Sequence, residues 1–279
     1  MKPNGPFAGI PVKNPASWLR FLAIGIISFL PLATAFILII DPYGVSPLGL
    51  SLPRINAIKL RRLDIDRALK PYEVWRDQPR TLFLGSSISE YAIDPAVLDG
   101  TRFAPAYDAA IPGGSIRASL DYLETYIDLD PRLRIAIVEV KLSDFIFAFD
   151  FASEKQTRWQ FIRNSVALFA SRHALWSAVV TLAYNVKGGP QWFEIKPGGY
   201  VFKPLGLGDA KLGFAGFPVR IWSPDSGPKD AILNQGSLDL ARKLVEVARE
   251  HGVELIFAAM PNHAYFDYFY ESIDAWGLI

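Results

Sequence analysis

The chain has 279 residues, enough for one medium-sized domain with accessory segments. Its 29 Lys and Arg residues nearly balance 28 Asp and Glu residues, so it lacks the basic excess that a nucleic-acid partner would require. It contains no cysteine, which excludes disulfides, thiolate metal sites and cysteine nucleophiles.

The N-terminal part of the chain carries an uncharged apolar segment, residues 21–40. At helical rise it covers about 30 Å, the thickness of a bilayer's hydrocarbon core. We therefore predict a transmembrane helix that contacts the lipid bilayer, with Pro31 as a tolerable kink and with Trp18 and Tyr43 at its two interfaces. The alternative is a cleaved signal peptide, although the apolar run is longer than the usual core of such peptides.

The charges around this segment indicate its orientation. Lys2, Lys13 and Arg20 precede it without an acidic residue, which favours a cytoplasmic N-terminal segment at 1–20. Basic residues also follow the segment, so the bias is slight. We expect a single-pass protein of the cytoplasmic membrane whose main domain lies on the outer, periplasmic or extracellular, face.

Residues 41–78 are expected to form a juxtamembrane stalk. Asp41–Pro47 has turn chemistry, and residues 54–78 interleave basic with acidic side chains. This pattern predicts a solvated helix that ends before Pro79, the alternative being a basic stretch that touches anionic lipid.

Strand and helix patterns alternate along residues 79–144. Apolar, β-favouring runs occur at 81–84, 103–107 and 133–140, with a helical turn after Asp94 and an amphipathic helix from Ile116 towards Pro131. Such alternation predicts an α/β domain with a parallel sheet. Its second part is expected at 231–279, where Ser237 begins a helix that Gly252 ends and a buried strand follows at 253–259.

The intervening residues 145–230 are rich in aromatic residues, Gly and Pro, with a helical pattern at 157–186. We interpret this region as an insertion or lid. Its helical part is apolar on more than one side, so it either packs on the main domain or lies on a membrane surface.

The stretch Gly85-Ser86-Ser87 directly follows the strand at 81–84. A serine at the carboxyl edge of a sheet can act as a nucleophile, and the adjacent backbone amides can donate hydrogen bonds to the oxyanion that its attack produces. Equally, Ser86 or Ser87 can simply cap the next helix.

Residues 82–95, LFLGSSISEYAIDP, resemble the first sequence block of membrane-anchored SGNH (GDSL-like) hydrolases. The resemblance implies a three-layer, flavodoxin-like parallel sheet with Ser87 as nucleophile. It also implies that Tyr107–Ser115 supplies an oxyanion glycine, Gly113 or Gly114, beside the amide of Ser87. The activity implied is hydrolysis or transfer of an acyl ester, on a cell-envelope or exported polysaccharide, without a cofactor.

Two departures from the family pattern bear on activity. The asparagine donor of the third block is missing or replaced by Lys141 or Ser143. The Asp-x-x-His block that supplies the family's general base is absent, and serine without a base is a poor nucleophile. The base is therefore either His263, oriented by Asp267, or a residue beyond position 279 of a truncated chain whose sheet is incomplete at its C-terminal end.

Other residues offer no competing chemistry. His251 falls in the last turn of a helix and His173 within an apolar helical stretch, so we expect structural roles for both. No two histidines have ligand spacing and no phosphate-binding loop follows a strand, so no metal or nucleotide cofactor is expected. The alternative to an enzyme is a non-catalytic envelope protein with a binding or assembly role.

Overall fold

The computed structural model describes residues 15–146, 155–191, 193–202 and 234–259. In chain order, the helices and strands are α1 (Pro15–Ile40), α2 (Asp66–Asp77), β1 (Thr81–Leu84), α3 (Ser87–Ala92), β2 (Ala106–Asp108), α4 (Ile116–Leu129), β3 (Ile135–Val140), α5 (Leu142–Ile146), α6 (Arg158–Ala170), α7 (Arg172–Val186), β4 (Glu194–Ile195), β5 (Val201–Phe202), α8 (Gln235–Glu250) and β6 (Glu254–Ala259). The chain divides into two compact units, Met1–Arg62 with Val166–Gly189 and Leu63–Ser165 with Pro190–Ile279.

The first unit contains α1 and α7. Helix α1 is long and apolar enough to cross a membrane over Trp18–Ile40, which includes the predicted segment. Pro31 lies inside the helix without ending it. Large apolar side chains along its length are exposed, whereas Ile37 and Ile40 near its C-terminal end are buried.

The second unit is built on a parallel sheet with the strand order β2-β1-β3-β6. The two inner strands β1 and β3 read as apolar runs because helices cover the sheet. Leu123 of α4 and Leu244 of α8 belong to the same buried core as Leu82 and Val138 of the sheet. This arrangement confirms the α/β prediction with a parallel sheet.

Several local predictions are also confirmed. The Asp94 side chain caps a short 3-10 helix at Pro95–Leu98 by accepting a hydrogen bond from the Ala96 amide. Helix α4 begins after Ser115, whose hydroxyl accepts from the Ala118 amide. The second strand lies later than predicted, at Ala106–Asp108 rather than 103–107, because the chain turns through Thr101–Ala104 first.

The prediction of a solvated helix over 54–78 is wrong for α2. This helix covers Asp66–Asp77 and buries Leu69 and Val74 together with several charged side chains. It contacts α4 and belongs to the unit that begins at Leu63, rather than to a separate stalk.

The predicted insertion contains the regular elements α6, α7 and a short antiparallel hairpin of β4 and β5. Ser171 separates α6 from α7 and caps α7, since its hydroxyl accepts from the Ala174 amide at 3.0 Å. The aromatic segment at 147–151 lies outside the described residues.

A buried ion pair explains how α2 carries charge into the interior. The Lys70 ammonium lies 2.9 Å from Glu90 Oε1, and the two side chains are 1% and 0% exposed. Lys70 also donates to the carbonyl oxygen of Ala110. One cation thus ties α2 to α3 and to the loop that follows β2.

We expect Lys70→Met to lower the free energy of unfolding by about 3–5 kcal/mol, because it leaves the Glu90 carboxylate buried without its cation. Urea denaturation of the full chain in detergent micelles, followed by circular dichroism, measures this. The control is Lys243→Met. Lys243 is exposed, and its ammonium lies 3.9 Å from Glu124 Oε1, which makes a long and weak ion pair. Its loss is expected to stay below about 1 kcal/mol. Equal losses in the two variants would contradict the role given to Lys70.

Candidate functional site

The candidate site lies where the order of the sheet changes direction. From β1 the chain continues to β2 on one side of it and later returns to β3 on the other side. In parallel α/β sheets, the carboxyl ends of two such strands border the crevice where ligands bind. Here β1 runs into Gly85-Ser86-Ser87, and β3 ends in Glu139 and Val140.

Ser86 is buried and fully engaged in hydrogen bonds. Its hydroxyl lies 2.9 Å from both carboxylate oxygens of Glu139 and accepts from the Ile88 amide at 3.2 Å as the N-cap of α3. Its amide donates to Glu139 Oε2 at 2.6 Å. Since the residue is 4% exposed, Ser86 positions the turn rather than meeting a substrate.

Ser87 is the first residue of α3 and is partly exposed. Its hydroxyl makes no hydrogen bond to another of the described residues. As an amide in the first turn of a helix, its N–H has no partner within the helix. Of the two neighbouring serines, Ser87 therefore has both the access and the free amide that nucleophilic attack on a carbonyl requires.

Glu139 is the residue of the candidate site that sequence reasoning missed. Its buried carboxylate accepts hydrogen bonds from three groups at the end of β1 and the start of α3: the Ser86 amide, the Ser86 hydroxyl and, at 2.8 Å, the Ser89 hydroxyl. The available signal is an acidic residue within the apolar strand sequence IAIVEV. A buried carboxylate needs such donors, so its presence there indicates a polar partner at the adjacent strand end.

The turns after β1 and β2 are in close contact. The Ile111 amide donates to the Gly85 carbonyl oxygen at 3.0 Å. A Cβ atom on Gly114 would collide with that same carbonyl oxygen, and one on Gly85 would collide with the Glu139 carboxylate. Both positions therefore require glycine, because no side chain would fit there. The turn that bears Ser87 and the turn that bears Gly113 and Gly114 thus lie against each other.

The two candidate oxyanion glycines differ in their amides. The Gly114 amide donates to the Ile111 carbonyl oxygen at 2.8 Å and is occupied. The Gly113 amide has no hydrogen bond to another of the described residues. Gly113 has a φ of 76°, and a Cβ atom added to it would have no atom within 4 Å. Gly113 is thus the better candidate donor.

Lys141, a candidate residue of the site, directly follows β3. Its ammonium donates to the Gly114 carbonyl oxygen at 2.5 Å and lies 3.6 Å from Asp144 Oδ1. Asp144 in turn accepts from the Ile116 amide at 3.1 Å, at the start of α4. Together they hold the turn at 111–114, called the glycine turn below, against the end of β3. Ser143, the other candidate at this position, is partly exposed.

Asp108 is the last residue of β2 and is wholly buried. Its Oδ1 accepts from the Ala110 amide at 3.0 Å, whereas its buried Oδ2 has no hydrogen-bond partner among the described residues. Burial raises the pKa of Asp108 to about 7, against the opposing effect of the Lys70 ammonium.

The two described histidines lie on α7 and at the end of α8. His173 is exposed on α7, and His251 caps the C-terminal end of α8, where its Nδ1 lies 2.9 Å from the Val247 carbonyl oxygen. Because His251 precedes β6, it lies at the opposite edge of the sheet from Ser87. The candidate base His263 and its partner Asp267 are outside the described residues. Within the described ranges, no three His, Asp or Glu side chains are arranged to hold a metal ion.

Comparison with known proteins gives no relative: no protein-family model matches the chain, and no curated protein or solved structure matches it.

We expect Glu139→Gln to destabilise the protein by about 1–3 kcal/mol. The NH2 group of Gln would face the Ser86 and Ser89 groups that now donate to the carboxylate, so two donors would meet without an acceptor between them. Glu139→Ala, which leaves the Ser86 and Ser89 groups buried without an acceptor, is expected to cost more. The same denaturation experiment measures both. The control is Glu254→Gln, on a strand of the same sheet but half-exposed in a surface pair with Arg102. An equally small effect at both positions would show that Glu139 does not organise the turn.

Asp108 predicts a pH dependence of stability. Its pKa is about 7 in the folded state, against about 4 for an ordinary carboxyl, so the folded state retains a proton that the unfolded state releases between these values. The contribution of Asp108 to stability is therefore present below about pH 4 and is lost as the pH rises through 7.

The test is the free energy of unfolding of Asp108→Asn relative to wild type across this pH range. Since Asn cannot ionise, this difference is expected to shift in favour of the variant as the pH rises from 5 to 8, by about 1 kcal/mol or more. Asp99→Asn, at an exposed aspartate, is the control. A difference that stays constant with pH would contradict the assignment.

Proposed function

We propose that this protein is a membrane-anchored SGNH-like serine esterase or O-acyltransferase with Ser87 as its nucleophile. One observation carries the proposal: of two consecutive serines at the end of β1, Ser86 is buried and bonded to Glu139, whereas Ser87 is accessible. The glycine turn that packs on Gly85 adds a free amide at Gly113 on the same edge of the sheet.

The strand order supports the finer assignment of the fold. The sequence β2-β1-β3-β6 corresponds to the first four positions of the 2-1-3-4-5 order of flavodoxin-like sheets. We assign the chain to this three-layer fold, with the described strands as the greater part of its sheet. The site then lies at the fold's usual ligand crevice, between β1 and β3.

The proposed reaction begins with attack of Ser87 Oγ on the carbonyl carbon of an acyl ester, while a general base takes the hydroxyl proton. The resulting oxyanion accepts hydrogen bonds from the Ser87 and Gly113 amides. Collapse of this intermediate breaks the ester bond and returns the proton to the departing alkoxide. The acyl group then passes from Ser87 to water in hydrolysis, or to an acceptor hydroxyl in transfer. The proposed base is His263, oriented by Asp267.

Lys141 and Glu139 act in this proposal as positioning residues. Lys141 bonds the carbonyl of the glycine turn, so that the turn is fixed relative to β3. Glu139 fixes the turn that bears Ser87 through its bonds to Ser86 and Ser89. A preorganised oxyanion site requires this rigidity, because donors that must reorient during the reaction lose most of their effect.

Helix α1 is the proposed membrane anchor, since it is long and apolar enough to span a bilayer. The charges before it favour an α/β unit on the outer face of the cytoplasmic membrane, where an acylated polysaccharide of the envelope is the proposed substrate. The second candidate is a non-catalytic binding or assembly protein. It is favoured by His251, which precedes β6 and therefore lies at the opposite edge of the sheet from Ser87.

Covalent labelling with a fluorophosphonate tests the proposal. The wild-type protein in detergent micelles is expected to be labelled, and Ser87→Ala is expected to lose the label, because the probe reacts only with an activated serine. Ser86→Ala is the matched control at the neighbouring position. It removes a helix cap, at a cost of about 1 kcal/mol, and one of three hydrogen bonds to Glu139, at a cost of about 1.5–3 kcal/mol. Because the Ser86 amide and the Ser89 hydroxyl still bind Glu139, the variant is expected to retain labelling at Ser87.

Peptide mass mapping of the labelled protein identifies the modified residue. A wild-type protein that unfolds cooperatively but takes up no label would overturn the esterase proposal and favour the binding role. Label on Ser86 rather than Ser87 would reverse the roles given to the two serines.

A further inference from the structure

Helix α7 has an unusual distribution of side chains over its two faces. The face buried within its own unit consists of small and polar residues at helical spacing: Ala174, Ser177, Ala178, Thr181 and Asn185. Small side chains let two helices approach closely, and α7 contacts α1 in this unit. The buried face is therefore a helix-packing face with little apolar area to bury.

The opposite face of α7 is apolar and exposed. Trp176, Val179 and Val186 are 59%, 44% and 64% exposed, and they share one side of the helix at spacings of three and seven residues. A surface helix in water shows the reverse pattern, with apolar residues inside and polar residues outside. The outward face of α7 thus requires an apolar environment.

Hydrogen bonds place the end of α7 near the end of α1. The Asn185 side chain accepts from the Ile58 amide and donates to the Ile58 carbonyl oxygen, both at 2.9 Å. Asn56, two residues earlier, donates to the Ile39 carbonyl oxygen at 2.9 Å, in the last turn of α1. The C-terminal end of α7 therefore lies at the level where α1 would leave a bilayer.

Charge favours a lipid surface with anionic headgroups over other apolar environments. Residues 166–189 carry Arg172, His173 and Lys187 and no acidic residue. Both Arg172 and Lys187 are exposed, at the two ends of α7. Tryptophan beside basic residues is typical of helices that lie in the interface of an anionic bilayer.

We propose that α7 is a second membrane-contacting element, which lies in the interfacial layer of the bilayer with Trp176, Val179 and Val186 towards the acyl chains. The proposed occupant of this face is the bilayer that receives α1, so the inference rests on the membrane anchoring proposed above. Helix α1, whose large apolar side chains are also exposed, belongs to the same unit as α7. Such a contact would orient the unit relative to the membrane plane, which a single span alone does not do.

The absence of cysteine allows the test to be made with single-cysteine variants of the full chain. Val186→Cys probes α7, and Leu30→Cys, an exposed position of α1, reports on anchoring itself. Val97→Cys is the matched control, because it is also an exposed valine, 71% against 64%, but lies in the α/β unit. Each variant is labelled with an environment-sensitive fluorophore and reconstituted into vesicles of phosphatidylcholine with phosphatidylglycerol.

Quenching by nitroxide-bearing lipids reads out the depth of each label. We expect strong quenching at Leu30 and at Val186, the latter greater with a nitroxide near the headgroup than with one deep in the acyl chains, and none at Val97. Val179→Cys is expected to behave like Val186→Cys, which guards against a local defect at one position. Omission of phosphatidylglycerol is expected to weaken the quenching at Val186 and leave that at Leu30 unchanged.

Three results would overturn the proposal. Quenching at Leu30 without quenching at Val186 and Val179 would leave the anchor intact and show that α7 is not in the bilayer. A blue-shifted but unquenched label at Val186 would show that a protein surface, such as a second copy of the chain, covers this face. Absence of quenching at Leu30 would remove the anchoring on which the inference depends.

Discussion

The buried carboxylate of Glu139 is the interaction on which the geometry of the site depends. It receives the amide and hydroxyl of Ser86 and the hydroxyl of Ser89, so β3 and the turn after β1 are joined by three hydrogen bonds to one charged group. Hydrogen bonds to a charged acceptor are stronger than those between neutral groups, and burial makes their loss costly. These hydrogen bonds also set the position of Ser87, since it is the next residue after Ser86 in the same turn.

Two buried or half-buried lysines complete the frame around Glu139. Lys70 joins α2 to Glu90 of α3 and to the chain after β2, and Lys141 joins the end of β3 to the glycine turn. Both lysines donate to backbone carbonyl oxygens of the segment 110–114, which has little regular structure of its own. Irregular backbone needs such partners when it is buried, and here side-chain cations provide them from two neighbouring elements.

The sequence predicted the elements whose signals are local. An apolar run that ends in Gly85 predicts β1 and its turn, and apolar positions at helical spacing predict α4. Helix α2 was missed as a packed element because its buried Lys70 finds its partner Glu90 only in the folded chain, and a local pattern counts the lysine as solvated. Glu139 was missed for the same reason, since its donors lie in a turn about fifty residues earlier. The face of α7 is the converse case, in which the pattern showed apolar residues but not which side is outward.

The carboxylates around Ser87 bear on where its base must come from. Glu139 is saturated by three donors, Asp144 is engaged by Lys141 and the Ile116 amide, and Asp108 is wholly buried. None of the three is placed to take a proton from a substrate-facing hydroxyl, because Glu139 and Asp144 are engaged by the donors of the site and Asp108 is enclosed in the interior. In the proposed site Ser87 is the nucleophile and the Ser87 and Gly113 amides are the oxyanion donors, and Glu139, Asp144 and Asp108 leave the general base to be supplied by another residue. His263, the proposed base, lies in the segment of the sequence that follows β6, outside the described residues. Whether this site performs chemistry or only binds is thus decided by one proton acceptor, not by the arrangement of the turn itself.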